Sequence, residues 1–505
     1  MPSKKMQYVL VPADGLVASE SNPKQVQFFQ SLHASASSPQ QLHRISTVGG
    51  PLSVKVVDSI GENKAKLIEC APEELAALRA AHPSVRILPV VYFEPAVMRY
   101  QVEQRPGFAA TGAKATAKTK TSTITITIVS SKDNKPVAHA MVVAFTDFAS
   151  RAGAQGTTNS RGQVSLGLGA SSKRIERLYV YPDFGYWPAL QENITLKNGT
   201  MQRVLGIDLT YVDCVRYFYP GSELSLGHGL TVGVIDSGIA LNHPGLVVQG
   251  GQNTVQGENP KDYGDNGTEG HGTHVAGIIA SRGTPPTGIR GIAPGVALRS
   301  YRVFGKGANQ SSNFAIAKAI DAAVADKCDL LNMSLGGGDP DTLTAEALTA
   351  AHDAGLVVFA ANGNDSRQPV SFPAANSMCQ AVSAMGRIGT FPKGTEPAGS
   401  VAAPHGKDRK DFIADFSNIG PETDLTGPGV GVISTVPSGF GVMSGTSMAT
   451  PAETGAAARL IAAKPQILAM ARDQNRAAAM VLAIAAATKV LGFGAVYEGK
   501  GMISA

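Results

Sequence analysis

Three segments of the chain carry side chains that could act together on a carbonyl group. Val232-Gly-Val-Ile-Asp236-Ser-Gly238 puts a carboxylate at the end of an apolar run. Gly270-His271-Gly-Thr-His274-Val-Ala-Gly277 puts an imidazole just after a glycine. Ser444-Gly-Thr-Ser447-Met-Ala-Thr-Pro451 puts a hydroxyl after a glycine that permits a sharp turn. A serine hydroxyl is too weak an acid to attack an amide unaided. An imidazole can take its proton and later deliver it to the leaving amine, while a carboxylate fixes the tautomer and stabilises the imidazolium. Each segment alone is a weak signal. A strand-end Asp often serves a turn, and a Ser in Gly-Thr-Ser is commonly a helix N-cap. Two histidines three apart can bind metal, but the His-Glu-x-x-His arrangement is absent.

The elements around these residues alternate. Thr231 to Ile235 reads as a buried strand, His271 to Ala280 as a helix, and Phe314 to Lys327 as a helix with Ile316, Ile320 and Val324 spaced by four. Asp329 to Met333 is a strand, Thr342 to Asp353 a helix closed by Gly355, and Leu356 to Ala360 another strand. Such alternation predicts a parallel sheet with helices on both faces, with chemistry at the carboxyl ends of its strands.

Taken in the order Asp, His, Ser, the three segments resemble the subtilase (subtilisin-like, peptidase S8) family over roughly residues 208–505. Further motifs carry the resemblance: Asn332-Met-Ser334-Leu335-Gly336, Ala360-Ala361-Asn362-Gly363-Asn364, Phe416-Ser-Asn-Ile-Gly-Pro421, Gly427-Pro-Gly429 and Tyr497-Glu-Gly-Lys-Gly501. It implies a serine endopeptidase with Asp236, His271 and Ser447 as triad and Asn364 as oxyanion donor. Ser334, Leu335, Gly336, Ala361, Asn362 and Gly363 would bind the substrate, whose extended chain would add as an edge strand. Small residues there predict a broad or apolar preference. His271 is the base by this resemblance, and His274, one turn further on, is packed. An esterase or acyltransferase would share this chemistry, and comparing ester with peptide substrates separates it; a protein that keeps the fold for binding without turnover would instead hold a stable partner and hydrolyse no peptide.

Two departures stand out. The family's usual His-Val-Ala-Gly after the proline is Ala452-Glu453-Thr454-Gly455 here, so a glutamate enters a helix expected to be buried and needs a partner. The stretch Ser281-Arg-Gly-Thr-Pro-Pro-Thr-Gly288, where many relatives bind calcium, offers no carboxylate or Asn oxygen. No cofactor is implied and no metal site can be assigned, although calcium itself stays open.

Ahead of this region the order of elements over residues 1–104 is β-α-β-β-α-β, a ferredoxin-like pattern. Its strands are Tyr8 to Val11, Val54 to Val57, Ala65 to Cys70 and Val85 to Phe93, with helices at Pro23 to Ala34 and Pro72 to Ala81. This unit resembles subtilase prodomains, which implies a folding chaperone and inhibitor, a latent zymogen, and a partner within the same chain. Residues 105–121, rich in Gly, Ala, Thr and Lys, read as a linker. Residues 122–207 read as a small all-β sandwich resembling carboxypeptidase-regulatory-like modules, opened by the Thr/Ile alternation of Thr123 to Val129.

At 505 residues the chain is long enough for about two to four domains. A net charge of +5 without a dense basic stripe does not call for nucleic acid. No apolar run reaches the roughly 18 residues that span a bilayer, and the short Tyr8-Val-Leu-Val11 run does not make a signal peptide. A cytoplasmic location is expected over secretion. The four scattered cysteines predict reduced, buried thiols and not a disulfide framework.

Overall fold

The structure, a computed structural model, describes residues 5–36, 42–47, 50–102, 122–170, 172–221, 223–267 and 270–504. The linker reading for 105–121 lies outside them.

The N-terminal unit contains β1 (Met6–Pro12), α1 (Pro23–Ala36), β2 (Leu42–Thr47), β3 (Gly50–Ser59), β4 (Lys66–Cys70), α2 (Leu75–Ala81) and β5 (Val85–Pro89). Its antiparallel sheet has the order β2-β3-β4-β1-β5. The period of two along β1 sends Leu10 toward Phe29 and Leu32 of α1. Val9 and Val11 face the other way, into a core shared with the next large unit. Both faces of β1 are therefore covered, which is why Val9-Leu10-Val11 is apolar without a break. β2 was not expected from the sequence: an edge strand carrying His43, Arg44 and Ser46 has no alternating pattern to reveal it.

The expected strand over Val85 to Phe93 is two strands. β5 is the sheet's edge, and Pro89 has no amide to extend pairing, so the chain leaves. It re-forms as β6 (Tyr92–Pro95) in a different sheet.

Residues 124–204 form two packed sheets from β7 (Ile124–Ser130), β8 (Met141–Asp147), β9 (Ala152–Thr157), β10 (Gln163–Leu166), β11 (Ser172–Tyr181), β12 (Ala189–Lys197) and β13 (Met201–Val204). One sheet runs β10-β7-β13, the other β12-β11-β8-β9. Ile124, Ile126 and Ile128 meet Val142, Ala144, Leu178 and Val180 between them.

After α3 (Cys214–Phe218), the C-terminal unit is built on β14 (Thr231–Asp236), β15 (Val248–Asn253), α4 (His271–Ala280), β16 (Ala297–Arg302), β17 (Ser311–Ser312), α5 (Asn313–Ala325), β18 (Leu330–Met333), β19 (Leu335–Gly336), α6 (Thr342–Asp353), β20 (Val357–Ala361), β21 (Cys379–Arg387), β22 (Asp411–Ile413), β23 (Leu425–Pro428), β24 (Val432–Val436), β25 (Gly439–Met443) and α7 (Thr446–Ala462). The main sheet has eight strands in the order β15-β16-β14-β18-β20-β21-β22, with β23 also beside β21. All its pairs are parallel except β21–β22. α4 and α7 cover one face, α5 and α6 the other. Among the described residues no helix is long and apolar enough to cross a membrane. All four cysteines are buried and unbonded.

The N-terminal sheet packs on α5 and α6. Ion pairs rim this contact: Arg86 donates to both carboxylate oxygens of Glu346 at 2.6 and 2.9 Å, Lys318 meets Asp58 at 2.7 Å, and Lys64 pairs with Asp321.

Glu453 finds the partners its helix required. It is fully buried, with Oε1 2.6 Å from the Tyr219 hydroxyl and Oε2 accepting from the Ile503 amide at 3.0 Å. Burial raises its carboxyl to about 8. When protonated, the acid can donate to Tyr219 Oη, which frees the phenol to donate to the Ile503 carbonyl at 3.0 Å. Every group is then satisfied, and the C-terminal strand is tied to α7. The folded state keeps this proton while the unfolded chain releases it near 4.5, so the stabilisation is complete below that pH and lost as pH rises through about 8. Glu453→Gln, which reproduces the neutral acid's donors and acceptors, is expected to abolish that decline, a difference on the order of a few kcal/mol. Thermal melts of both proteins from pH 5 to 9 check this; parallel curves would refute it.

Candidate active site

β14 delivers Asp236 at its carboxyl end, between β16 and β18. His271 opens α4, and its ring reaches back so that Nδ1 lies 2.8 Å from Asp236 Oδ1 and 3.0 Å from Oδ2. Gly270 makes this possible: its φ is +70°, and a Cβ there would lie 2.3 Å from Pro437 Cδ. His271 Nε2 is buried and carries no hydrogen bond among the described residues. His274 is wholly buried and bonds through Nε2 to the Val432 carbonyl at 3.0 Å; burial holds it down to about 3, so it is a neutral anchor for β24.

Ser447 is the second residue of α7. Pro451 lacks the amide that would bond the Ser447 carbonyl, and Ser334 Oγ fills the gap, donating at 2.9 Å. In return Ser447 Oγ donates to the Ser334 carbonyl at 3.0 Å. The serine thus points at β19's approach and not at the imidazole in this conformation.

A third element completes the cleft. β6 is inserted antiparallel between β17 and β19, pairing Phe93 with Ser311, Glu94 with Gly336 and Pro95 with Leu335. The Ala96 amide donates to the Ser334 carbonyl at 3.1 Å. The Ala96 carbonyl oxygen receives Asn364 Nδ2 at 2.6 Å and the Ser447 amide at 3.1 Å. Asn364 is oriented by Thr446, whose amide and hydroxyl donate to its Oδ1 at 2.9 and 3.0 Å. Gly445, at φ +152°, gives the strand room: a Cβ would lie 2.7 Å from that same Ala96 oxygen. Such donors at such distances are what a developing oxyanion requires.

Of the residues expected to bind substrate, Gly336 and Gly363 line a cleft of about 570 Å³ beside Ala96. Ser334, Leu335, Ala361 and Asn362 are fully buried behind it. Asn362 turns its amide to Thr423 Oγ1 at 2.9 Å, away from the cleft. Ser371, which the sequence reading missed, shares the lining, and a Cβ on Gly336 or Gly363 would come 2.8 Å from its Oγ. Ala96 was also missed; no motif marks a residue whose part is played by its backbone. Glu396, behind Ser444, is buried and raised to about 8. Among the described residues no three His, Cys, Asp or Glu side chains gather as metal ligands.

A parallel α/β sheet that brings an Asp–His pair, a helix-borne serine and two convergent N–H donors to its carboxyl edge defines a serine hydrolase that acts on extended peptide. The family model described as the subtilase family matches residues 227–496. Subtilisin DY of Bacillus licheniformis is 35% identical over 283 residues, covering 55% of this chain and 90% of its own length. Subtilisin of Bacillus pumilus gives the same figures over 285 residues, and subtilisin E of Bacillus subtilis (strain 168) is 35% identical with 65% of its length covered. The chain belongs to the subtilase family and so to the subtilisin-type serine endopeptidases, acting on peptide or protein substrates. Residues 1–226 lie outside the family match.

Asn364→Asp keeps an oxygen for Thr446 to bind, removes the N–H donor and turns a carboxylate oxygen toward the Ala96 carbonyl oxygen. It is expected to lower kcat roughly 100–1000-fold, a range established in a subtilisin, with little change in Tm. Steady-state kinetics beside a melt checks it, and a kcat within a few-fold of wild type would refute the role.

Proposed function

We propose that Asp236, His271 and Ser447 act as an acyl-transfer triad with Asn364 and the Ser447 amide as oxyanion hole, and that the N-terminal unit holds the enzyme latent. It does so by laying its own last strand through the cleft until Ser447 cuts the Ala96–Val97 bond. One observation carries this reading: the Ala96 carbonyl oxygen already accepts from both Asn364 Nδ2 and the Ser447 amide.

In this reading the Ser447 hydroxyl rotates from the Ser334 carbonyl toward His271 Nε2, which takes its proton. Oγ attacks the Ala96 carbonyl carbon, and the two donors meet the charge that develops on oxygen. The intermediate collapses as His271 passes the proton to the Val97 nitrogen, leaving residues up to Ala96 acylated on Ser447. Water, deprotonated by the same imidazole, releases the acyl group. Asp236 orients the ring throughout. The cut N-terminal unit keeps its contact with α5 and α6, so it inhibits until it dissociates or is degraded. The alanine methyl leaves most of the cleft beside it empty, in keeping with a broad or apolar preference at that position.

Intact-mass measurement of purified full-length protein is expected to show fragments 1–96 and 97–505, and a fluorophosphonate probe to label Ser447. Ser447→Ala should keep the full mass and take no label. Arg86→Ala, which removes a rim anchor, should shorten the lag before casein hydrolysis. A wild type that hydrolyses casein at once with its full mass intact would sink the latency reading and leave the triad standing; one that never labels would sink the triad.

A further inference from the structure

The strand does not leave the molecule's grip at Val97. Four alternate amides in one extended run are each held. Ala96 donates to the Ser334 carbonyl at 3.1 Å and Met98 to the Ser444 carbonyl at 2.9 Å. Tyr100 donates to Tyr181 Oη at 3.3 Å and Val102 to Gln155 Oε1 at 2.8 Å. The first two acceptors belong to the catalytic unit, the last two to the sandwich. Together they make a single rail with the strand's period of two.

The sandwich's own sequence asks for such a guest. Its core uses Val142, Ala144, Leu178 and Val180, one face of β8 and β11. The opposite face should be polar if it met water. It carries Val143, Phe145, Tyr179 and Tyr181 instead, and these are buried against Tyr100 and Val102. The Tyr100 ring lies 5.0 Å from Phe148, edge-on, and 4.9 Å from Tyr179. The Arg151 guanidinium sits 4.7 Å from its centroid and 4.0 Å from that of Phe148. This is a cage for an aromatic ring, with Phe148 edge-on at one side, Tyr179 tilted at 40° on another and a cation over the face.

The sandwich is also fixed to the catalytic unit, so the cage stands at a set distance from Ser447. Trp187 is buried against Ile289 and Ile433, the Gly185 amide donates to the Phe440 carbonyl at 2.8 Å, and Glu396 N donates to the Pro188 carbonyl at 2.8 Å.

We propose that the β-sandwich is a substrate-recognition module whose cage of Phe148, Tyr179 and Arg151 takes an aromatic side chain at the fourth residue after the scissile bond, a place Tyr100 fills in the uncut chain. The proposal rests on the reading above that Ala96–Val97 is the bond presented to Ser447. After the cut, Tyr100 stays linked to β7 through residues 103–121, so it competes with incoming substrate for the cage.

Full-length wild type, Tyr100→Ala, Tyr100→Phe and Phe148→Ala proteins test this. Self-cleavage followed by intact mass is expected to slow roughly five- to thirty-fold in Tyr100→Ala and Phe148→Ala and to hold in Tyr100→Phe. Each protein, cut or uncut, then digests a proteome-derived peptide library, and the residues flanking every cut are counted. Aromatic residues should be enriched four positions after the cut, more strongly in Tyr100→Ala, where the competitor is gone, and no longer in Phe148→Ala. A sandwich that merely anchors the chain would give no enrichment in any protein, and that result overturns the proposal. Enrichment lost in Phe148→Ala upholds it even if wild type fails to cut itself, an outcome that would remove only the latency reading.

Discussion

The carbonyl oxygen of Ala96 lies against two N–H donors, Asn364 Nδ2 and the Ser447 amide, and most of the cleft is arranged around that meeting. Two donors converge on one oxygen only if a helix N-terminus and a side chain from the loop after β20 are held in fixed relation. Thr446 supplies the link, since its amide and hydroxyl both bind Asn364 Oδ1. Pro451 and Ser334 support it from the other side, one by withholding an amide from the Ser447 carbonyl and the other by replacing it. Gly445 keeps the oxygen's space open. The two donors are thus held in place before any charge develops between them, the kind of fixed arrangement from which electrostatic stabilisation gains most.

Three units share the strand that crosses this point. The N-terminal sheet holds it upstream through the shared core under β1, where Val9 and Val11 join Phe93, Ile316 and Leu343. The catalytic unit holds it by pairing on both sides, and the sandwich receives it downstream. Phe93, fully buried near Phe372, adds an apolar anchor worth about 1.5–3 kcal/mol. Each backbone bond along the run contributes only about 1 kcal/mol net, so the grip is strong because it is spread. A segment held this way lies in the extended, paired geometry that the proposed latency and self-cleavage both require.

Buried carboxylates mark the same economy. Glu453 ties α7 to the last strand, and Glu396 lies behind Ser444, which in turn holds Met98. Both are pushed up to about 8 by burial, so both are largely protonated and bring little negative charge into this part of the core at neutral pH.

The parallel sheet and its helices were legible in the linear chain, as were the pairing of Asp236 with His271 and the meeting of Asn364 with the start of the Ser447 helix; the Ser447 hydroxyl itself rests on the Ser334 carbonyl. Each rests on local grammar: an apolar run before Asp236, glycine before His271, a Gly-Thr-Ser turn into α7. Glu453 was legible as a buried acid in need of a partner, though not as bound to Tyr219 and Ile503, which lie 234 residues before it and 50 after it. What the sequence could not disclose were relations carried by backbone atoms and by surfaces brought together from afar. Pro95-Ala96-Val97 looks like the tail of a strand because its part is played by a carbonyl, and any residue has one. The second apolar face of β8 and β11 is written in Val143, Phe145, Tyr179 and Tyr181, but not what covers it. Hydrophobic period and turn chemistry are local and so survive in one dimension; which edge a free strand joins depends on the competition among all exposed edges, and only the folded chain decides that.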